Sequence, residues 1–312
     1  MKKSTVLLLL AIVLLIVPGF VFAGGAAEKP AAAPVAKGPI IIGSNSAPRT
    51  LNPLYFPSRQ DSIVTNLIFD NFVQPDKEGR IVGGLAESFS VAADGVTYTF
   101  NLAKNVVWHD GEKFDGDDVV ATLNMLAHPD YAGGVDRVNQ IVGVEEFKAN
   151  PTSTISGVSL SADKMTVTIK IKKPSATFLP GLYFQILPEH HIKNINLAEL
   201  EKAAFNTNPV GTGPFKFKEW KVGNSITVEK NSAYWQGEPK VDSIIVKFGE
   251  LVALTTQLQS GEIDMLEVEE EGYNTFKNDK NFNIYTYPML SVDYVGCLTG
   301  PGRAADTRDD RP

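Results

Sequence analysis

The stretch Leu85–Leu126, "LAESFSVAADGVTYTFNLAKNVVWHDGEKFDGDDVVATLNML", decides how this chain is read. It opens as a strand pair. Val96, Tyr98, Phe100 and Leu102 alternate with Thr97, Thr99 and Asn101, so one face is expected to be buried and the other wet. "ESFSV" precedes this strand across Ala93-Asp94-Gly95, which has hairpin-turn chemistry. A Trp108-His109 pair and five carboxylates follow: Asp110, Glu112, Asp115, Asp117 and Asp118. They are either a metal or catalytic site, or the joint between a strand and a helix.

A calcium loop of the EF-hand type needs acidic oxygens at loop positions 1, 3 and 5 and glycine at 6. Counted from Asp110, the third ligand and the glycine are both wrong. Zinc needs clustered His or Cys, and His109 has neither within helical reach in the sequence. Paired carboxylates could do acid–base work, but nothing in the spacing sets two of them opposite each other. The joint accounts for more. Asp110-Gly111 makes a turn after "NVVW", and Phe114 is the apolar residue before a helix. Asp115 is its N-cap, and Asp117 and Asp118 fall in the first turn, where the helix dipole favours anions. Val119, Val120, Leu123 and Leu126 form the stripe behind them. Such a cap contributes about 1 kcal/mol. An exported hydrolase or metal-dependent enzyme using the 110–118 carboxylates is the alternative.

Working outward, "MTVTIKIK" alternates like the first strand, with Met165, Val167, Ile169 and Ile171 on one face. "FKFKEW" and "ITVEKN" flank a turn at Val222-Gly223-Asn224. Helical spacing is expected over Asp61–Phe72, Asp117–Leu126, Leu197–Ala204 and Glu250–Gln259, and "EIDMLEV" reads as a strand. These elements make a mixed α+β chain.

The N-terminus does not belong to that fold. Lys2 and Lys3 precede the apolar run Val6–Val17, Pro18-Gly19 breaks it, and "VFA" supplies small residues, which reads as a signal peptide cut after Ala23. An uncleaved segment tethering the protein to the membrane is the other reading, since extension through Phe22 nearly reaches the roughly 20 residues of a span. Residues 24–38, "GGAAEKPAAAPVAKG", are a flexible tether. Loss of residues 1–23 removes two lysines and no acid, taking the net charge from −7 to −9. An acidic exported chain is a poor partner for nucleic acid. The lone Cys297 excludes an internal disulfide, and no cysteine follows the apolar run to carry lipid. A periplasmic location is expected. G-x-S-x-G, H-E-x-x-H and P-loop patterns are all lacking, so the chain does not read as an enzyme, and no cofactor is expected.

Leu85–Leu126 resembles the signature region of the family 5 extracellular solute-binding proteins of ABC importers, the dipeptide, oligopeptide and nickel group. "TLNPLYF" (50–56), "ILPEHHI" (186–192), "NPVGTGPFKFKEW" (208–220) and "LQSGEIDML" (258–266) agree with that family in order, covering most of residues 40–290. Ala103-Lys104 and Asp115 depart from it in small ways. The resemblance implies a periplasmic-binding-protein-like type II fold, with two lobes clamping a ligand. Residues 39–75 and 206–285 would form the first lobe and 76–205 an appended, hairpin-rich subdomain. A second lobe of about 150–250 residues would start near Tyr287. The sequence stops at Pro312. Residues 286–312 are therefore expected to be the start of a truncated or frameshifted second lobe, and the chain an incomplete copy.

The implied function is capture of a di- or oligopeptide, or a similar small solute, for delivery to the permease subunits of an importer. Aligned on "LNP", Asn45, Ser46, Ala47, Pro48 and Arg49 occupy the stretch whose backbone meets the ligand in peptide-binding relatives. Arg49 could reach a solute carboxylate. Gly211-Thr212-Gly213 reads as a tight crossing and not a phosphate cradle. Glu267, Glu269 and Glu270 read as a solvated acidic loop, or as an attraction for a cationic solute. His190-His191 are expected to point to opposite faces if the chain is extended, so that they do not share a metal ion, and with "LPE" before them the stretch reads as an ordinary loop into a helix. Trp108, Trp220 and Trp235 read as packing residues.

Overall fold

Tyr98, Phe100 and Leu102 are buried on one face, as their alternation with Thr97, Thr99 and Asn101 requires. The computed structural model describes residues 38–286 apart from 56–57, 132 and 134–136. The expected signal peptide (1–23), the expected tether (24–38) and the expected start of a second lobe with Cys297 lie outside the described residues, except for residues 38 and 286.

In chain order, β1 (Ile40–Ser44) leads to α1 (Arg59–Ile68), closed by a reciprocal capping box. Ser58 Oγ accepts from Asp61 N at 3.1 Å, and Asp61 Oδ2 accepts from Ser58 N at 2.6 Å. The helix stops at Ile68, short of the expected Phe72. Gly213 N–H donates to the Ile68 carbonyl, and Phe72 N–H donates to Phe184 O, each at 2.8 Å. These long-range bonds overrule the local helical spacing. β2 (Val73–Pro75) and β3 (Ile81–Gly83) form a short hairpin. β4 (Ala86–Val91) and β5 (Thr97–Leu102) follow, joined through Gly95, whose φ of 68° suits a residue without Cβ. Asp94 accepts from the N–H groups of Val96 and Thr97, fixing the turn.

α2 (Gly116–Ala127) begins at Asp115, whose carboxylate accepts from Asp117 N at 2.8 Å. α3 (Val144–Ala149), β6 (Val158–Leu160), β7 (Thr166–Lys170), α4 (Phe178–Gly181) and α5 (Glu189–Ile192) come next. The expected helix over Leu197–Ala204 is a 3-10 turn, Leu197–Lys202, with Glu199 out of helical geometry. β8 (Phe215–Lys221), β9 (Ser225–Lys230), β10 (Ser243–Phe248), α6 (Leu251–Ser260), β11 (Met265–Leu266) and α7 (Glu270–Phe276) complete the order. Of "EIDMLEV", only Met265 and Leu266 pair as a strand.

The larger sheet runs β11-β1-β10-β9-β8. β1 lies parallel between β10 and β11, so the first strand of the fold is completed by chain some two hundred residues later. The other pairings in this sheet are antiparallel. The second sheet, β4-β5-β7-β6, is wholly antiparallel and comes entirely from residues 86–170. A single core joins the two sheets. Ile226, Val228 and Val246 from the first sheet and Phe100, Val167 and Ile169 from the second belong to one buried cluster, with α1 and α2 against it. Phe72 and Phe100 pack with ring centroids 5.0 Å apart.

Candidate functional site

The parallel strands set the geometry. Ser44 lies opposite Phe248, and Gly43 opposite Leu266, so β1, β10 and β11 all leave the sheet at one edge. In open sheets with parallel strands, ligands sit in the crevice outside the carboxyl ends. Here that edge carries residues 45–49, the Gly249-Glu250 turn into α6, and Glu267–Glu269.

The 45–49 loop hangs from buried anchors. Thr50, Leu51 and Asn52 are buried, and Leu51 N–H donates to Asn206 O at 2.7 Å. Asp61, fully buried, accepts from Arg49 N at 2.7 Å. Ser44 Oγ donates to Ser46 O at 2.8 Å. Between these ties Asn45, Ser46 and Arg49 are exposed, Ala47 is half-buried and Pro48 is buried. A rigid frame thus presents an exposed loop tip. Asp61 was not singled out as a site residue by its sequence, yet it ties the loop to α1. Glu267 pairs with Arg59 at the start of α1, so one charge of the acidic loop is offset. The contact joins residues 208 apart, which no local pattern reveals.

Four of the five carboxylates of 110–118 are engaged, Asp110, Asp115, Asp117 and Asp118. Asp118 is buried and accepts from Trp108 Nε1 at 3.1 Å, Asp115 N at 3.0 Å and Glu189 N at 2.8 Å. Burial pushes its carboxyl above the usual range, against those three hydrogen bonds. Asp117 pairs with Lys164. Asp115 caps α2. Trp108 is the pin of this joint, 2% exposed.

His109 uses both ring nitrogens. Nδ1 accepts from Gly211 N at 3.3 Å, and Nε2 faces Gly213 O at 3.0 Å. This fixes a neutral imidazole with its proton on Nε2. Burial drives its pKa down to about 4. Gly211-Thr212-Gly213 is a crossing of backbones: a Cβ on Gly211 would lie 1.9 Å from Ile68 O, and one on Gly213 2.6 Å from Ile68 C. Thr212 Oγ1, Trp235 Nε1 and Tyr234 Oη all donate to Asp70, at 2.9, 2.9 and 2.8 Å.

One expectation is corrected. His190 and His191 are not on extended chain. They lie in the single turn of α5, and their Nε2 atoms both meet Asp110 Oδ2, at 2.8 and 2.9 Å. In a helical turn adjacent side chains diverge by about 100°, not 180°, so both rings can face one acceptor. The remaining expectation for this stretch, a loop leading into a helix, matches α5.

The profile of the bacterial extracellular solute-binding proteins, family 5 Middle, matches residues 80–308. The chain belongs to the family 5 bacterial extracellular solute-binding proteins. It is 31% identical over 296 residues to the oligopeptide-binding protein AppA of Bacillus subtilis, covering 94% of this chain and 52% of that protein. It is 28% identical over 261 residues to the glutathione-binding protein GsiB of Escherichia coli O157:H7, covering 82% and 47%. The fold matches the structure of B. subtilis AppA in complex with a nonapeptide, with a TM-score of 0.68 and 29% identity over 78% of this chain and 46% of that one. It also matches NikZ from Campylobacter jejuni in complex with Ni(L-His), with a TM-score of 0.63 and 28% identity over 80% and 47%. The family 5 chain spans about half the length of the relatives it matches. Its mixed fold is the periplasmic-binding-protein fold expected from the ordered motifs. These relatives are solute-binding proteins and not enzymes.

Proposed function

We propose that this family 5 chain is the substrate-binding component of an ABC importer. It takes up a di- or oligopeptide, or a similar small solute, in the periplasm after export by its signal peptide, and passes it to permease subunits in the membrane without turning it over. The observation that carries this reading is the exposed 45–49 loop held on buried anchors beside the carboxyl ends of β1, β10 and β11. Extended peptides bind to such edges through main-chain hydrogen bonds, with side chains adding specificity. Asn45 to Pro48 offer that backbone, and the Arg49 guanidinium suits a solute carboxylate. The names of the relatives, oligopeptide-binding and glutathione-binding, support a peptide-like solute.

The described residues supply one wall of such a clamp, and a ligand half buried is held weakly. Short peptides are therefore screened at high concentration by thermal shift. Binding at about 100 times Kd stabilises by about 2.7 kcal/mol, and Arg49→Ala should reduce the shift for peptides with a free carboxylate. A flat response across the pool, or cleavage of any peptide in it, would overturn the reading.

A further inference from the structure

Asp110, His190 and His191 bring three metal-ligating side chains to one point. Their donor atoms all lie within 4.8 Å of one another, and among the described residues this is the cluster that could hold an ion. We propose that these three residues form a binding site for a divalent transition metal of borderline softness, such as Zn²⁺ or Ni²⁺, separate from the solute-binding edge.

The chemistry of the donors selects the ion. Two imidazole nitrogens and one carboxylate oxygen suit zinc, nickel and copper and offer little to Mg²⁺ or Ca²⁺, which prefer all-oxygen sites. Zinc sits about 2.0–2.2 Å from such donors, which places tetrahedral donors about 3.3 Å apart. Asp110 Oδ2 stands 2.8 Å from His190 Nε2 and 2.9 Å from His191 Nε2. Each separation needs to open by only about half an ångström to admit the ion. Each imidazole would bind through Nε2 as the neutral ring, its N–H then residing on Nδ1, so that the metal replaces the present Nε2 contact with the carboxylate.

The rings are held in place. His190 packs edge-on against Trp108 at 6.4 Å, His191 lies 6.1 Å from Phe205, and the two imidazoles are 4.6 Å apart. Asp110 is set by its turn: Oδ1 accepts from Glu112 N at 3.3 Å, and Gly111, with φ of 101°, completes the bend. An ion has access, because the side chains of Asp110, His190 and His191 remain 31, 29 and 39% exposed. His191 also lines a cleft of about 420 Å³ with Asn194, Asn196, Glu199 and Phe205, room for water or a solute donor at the remaining coordination positions. A bound ion would cross-link the 109–112 turn to α5, two segments about 80 residues apart.

The test uses the whole chain without a histidine tag. Zn²⁺ is titrated calorimetrically at neutral pH, and Co²⁺ is followed by its visible absorption. One equivalent of Zn²⁺ per chain is expected, with a Co²⁺ spectrum and a rise in melting temperature that Mg²⁺ does not reproduce. His191→Gln leaves the Asp110–His190 contact intact. It should weaken Zn²⁺ by more than the 10–100-fold lost when only a group supporting a ligand is changed, and abolish the Co²⁺ spectrum. His128→Gln, away from the cluster, should change neither. Asp110→Asn keeps an acceptor for one imidazole, and serves as the second variant if His191→Gln loosens the fold. Absence of Zn²⁺ binding by the wild type, or undiminished wild-type affinity in His191→Gln and Asp110→Asn, overturns the proposal and leaves a pair of imidazole–carboxylate hydrogen bonds.

Discussion

Acidification should unfasten the molecule at His109. Its Nδ1 accepts from Gly211 N, its Nε2 proton meets Gly213 O, and Lys216 Nζ donates to its backbone carbonyl at 3.0 Å. A proton on Nδ1 would face the Gly211 N–H, donor against donor, in a partly buried site. Burial is the main cause of the depressed pKa. The Gly213 carbonyl opposes it, the nearby Lys216 charge adds to it, and Asp110 opposes it again. The folded-state pKa of about 4 lies below the ordinary 6.5. The unfolded chain therefore takes up its proton first. This contribution to stability is fully present above pH 6.5 and is lost as the pH falls towards 4. At 1.36 kcal/mol per pH unit, the gap makes about 3 kcal/mol. Urea unfolding at a series of pH values reads it directly. Carboxylates contribute their own acid dependence, so the wild type is compared with His109→Gln, which can keep one of the two contacts and cannot titrate. The difference between the two should shrink by about 3 kcal/mol between neutrality and pH 4. A difference that stays constant across that range would refute the buried neutral imidazole.

Asp118→Ala leaves the Trp108 indole, Asp115 and Glu189 N–H groups without their acceptor, at about 1–3 kcal/mol each, and should shift the urea midpoint strongly. Asp118→Asn should cost less, since its oxygen can keep the Trp108 and Asp115 bonds while its amide opposes Glu189. The raised pKa of Asp118 means that its ionised form is penalised on folding. Its stability contribution is greatest below the unfolded value and declines as pH rises through the folded one, so the gap between wild type and Asp118→Asn should widen on acidification. Gly211→Ala forces a methyl onto the Ile68 carbonyl, a backbone atom that cannot swing aside, and should lower stability by about 3 kcal/mol or prevent folding, read by thermal unfolding. Asp115→Ala removes only the α2 cap and should cost about 1 kcal/mol in the same assay.

The elements that could be read in advance are those whose causes lie within a few residues. Burial of Tyr98, Phe100 and Leu102 follows from alternation, which is a property of one strand. Asp115 as a cap follows from its place between Phe114 and the Val119–Leu126 stripe. α1 shows where this ends. Ile63, Leu67, Ile68 and Phe72 share a helical spacing, yet Gly213 and Phe184, more than a hundred residues away, take the backbone partners on either side of Phe69. The expected helix at Leu197 and the longer strand after Gly261 failed likewise, since neither carries a pattern strong enough to outweigh its neighbours in space.

The candidate sites show a sharper version of the same limit. At the sheet edge, "LNP" located the loop, but its rigidity comes from Asp61 and Asn206, whose roles depend on pairing across the fold. At Asp110 the residue types were visible and their meeting was not. Two adjacent histidines are non-convergent if the chain is extended and convergent if it turns, and Pro188 at the start of α5, with the fixed φ it brings, is the local cue for the turn. What the turn alone cannot supply is the carboxylate 80 residues upstream, carried there because Trp108 binds Asp118 and Asp118 in turn binds Glu189 at the head of α5. The joint that explains away the acidic cluster as a catalytic centre is therefore also what delivers Asp110 to the two imidazoles. If that linkage is right, Asp118→Ala should weaken Zn²⁺ binding although Asp118 is not among the proposed ligands, and unchanged affinity in a folded Asp118→Ala chain would show that the cluster assembles without it.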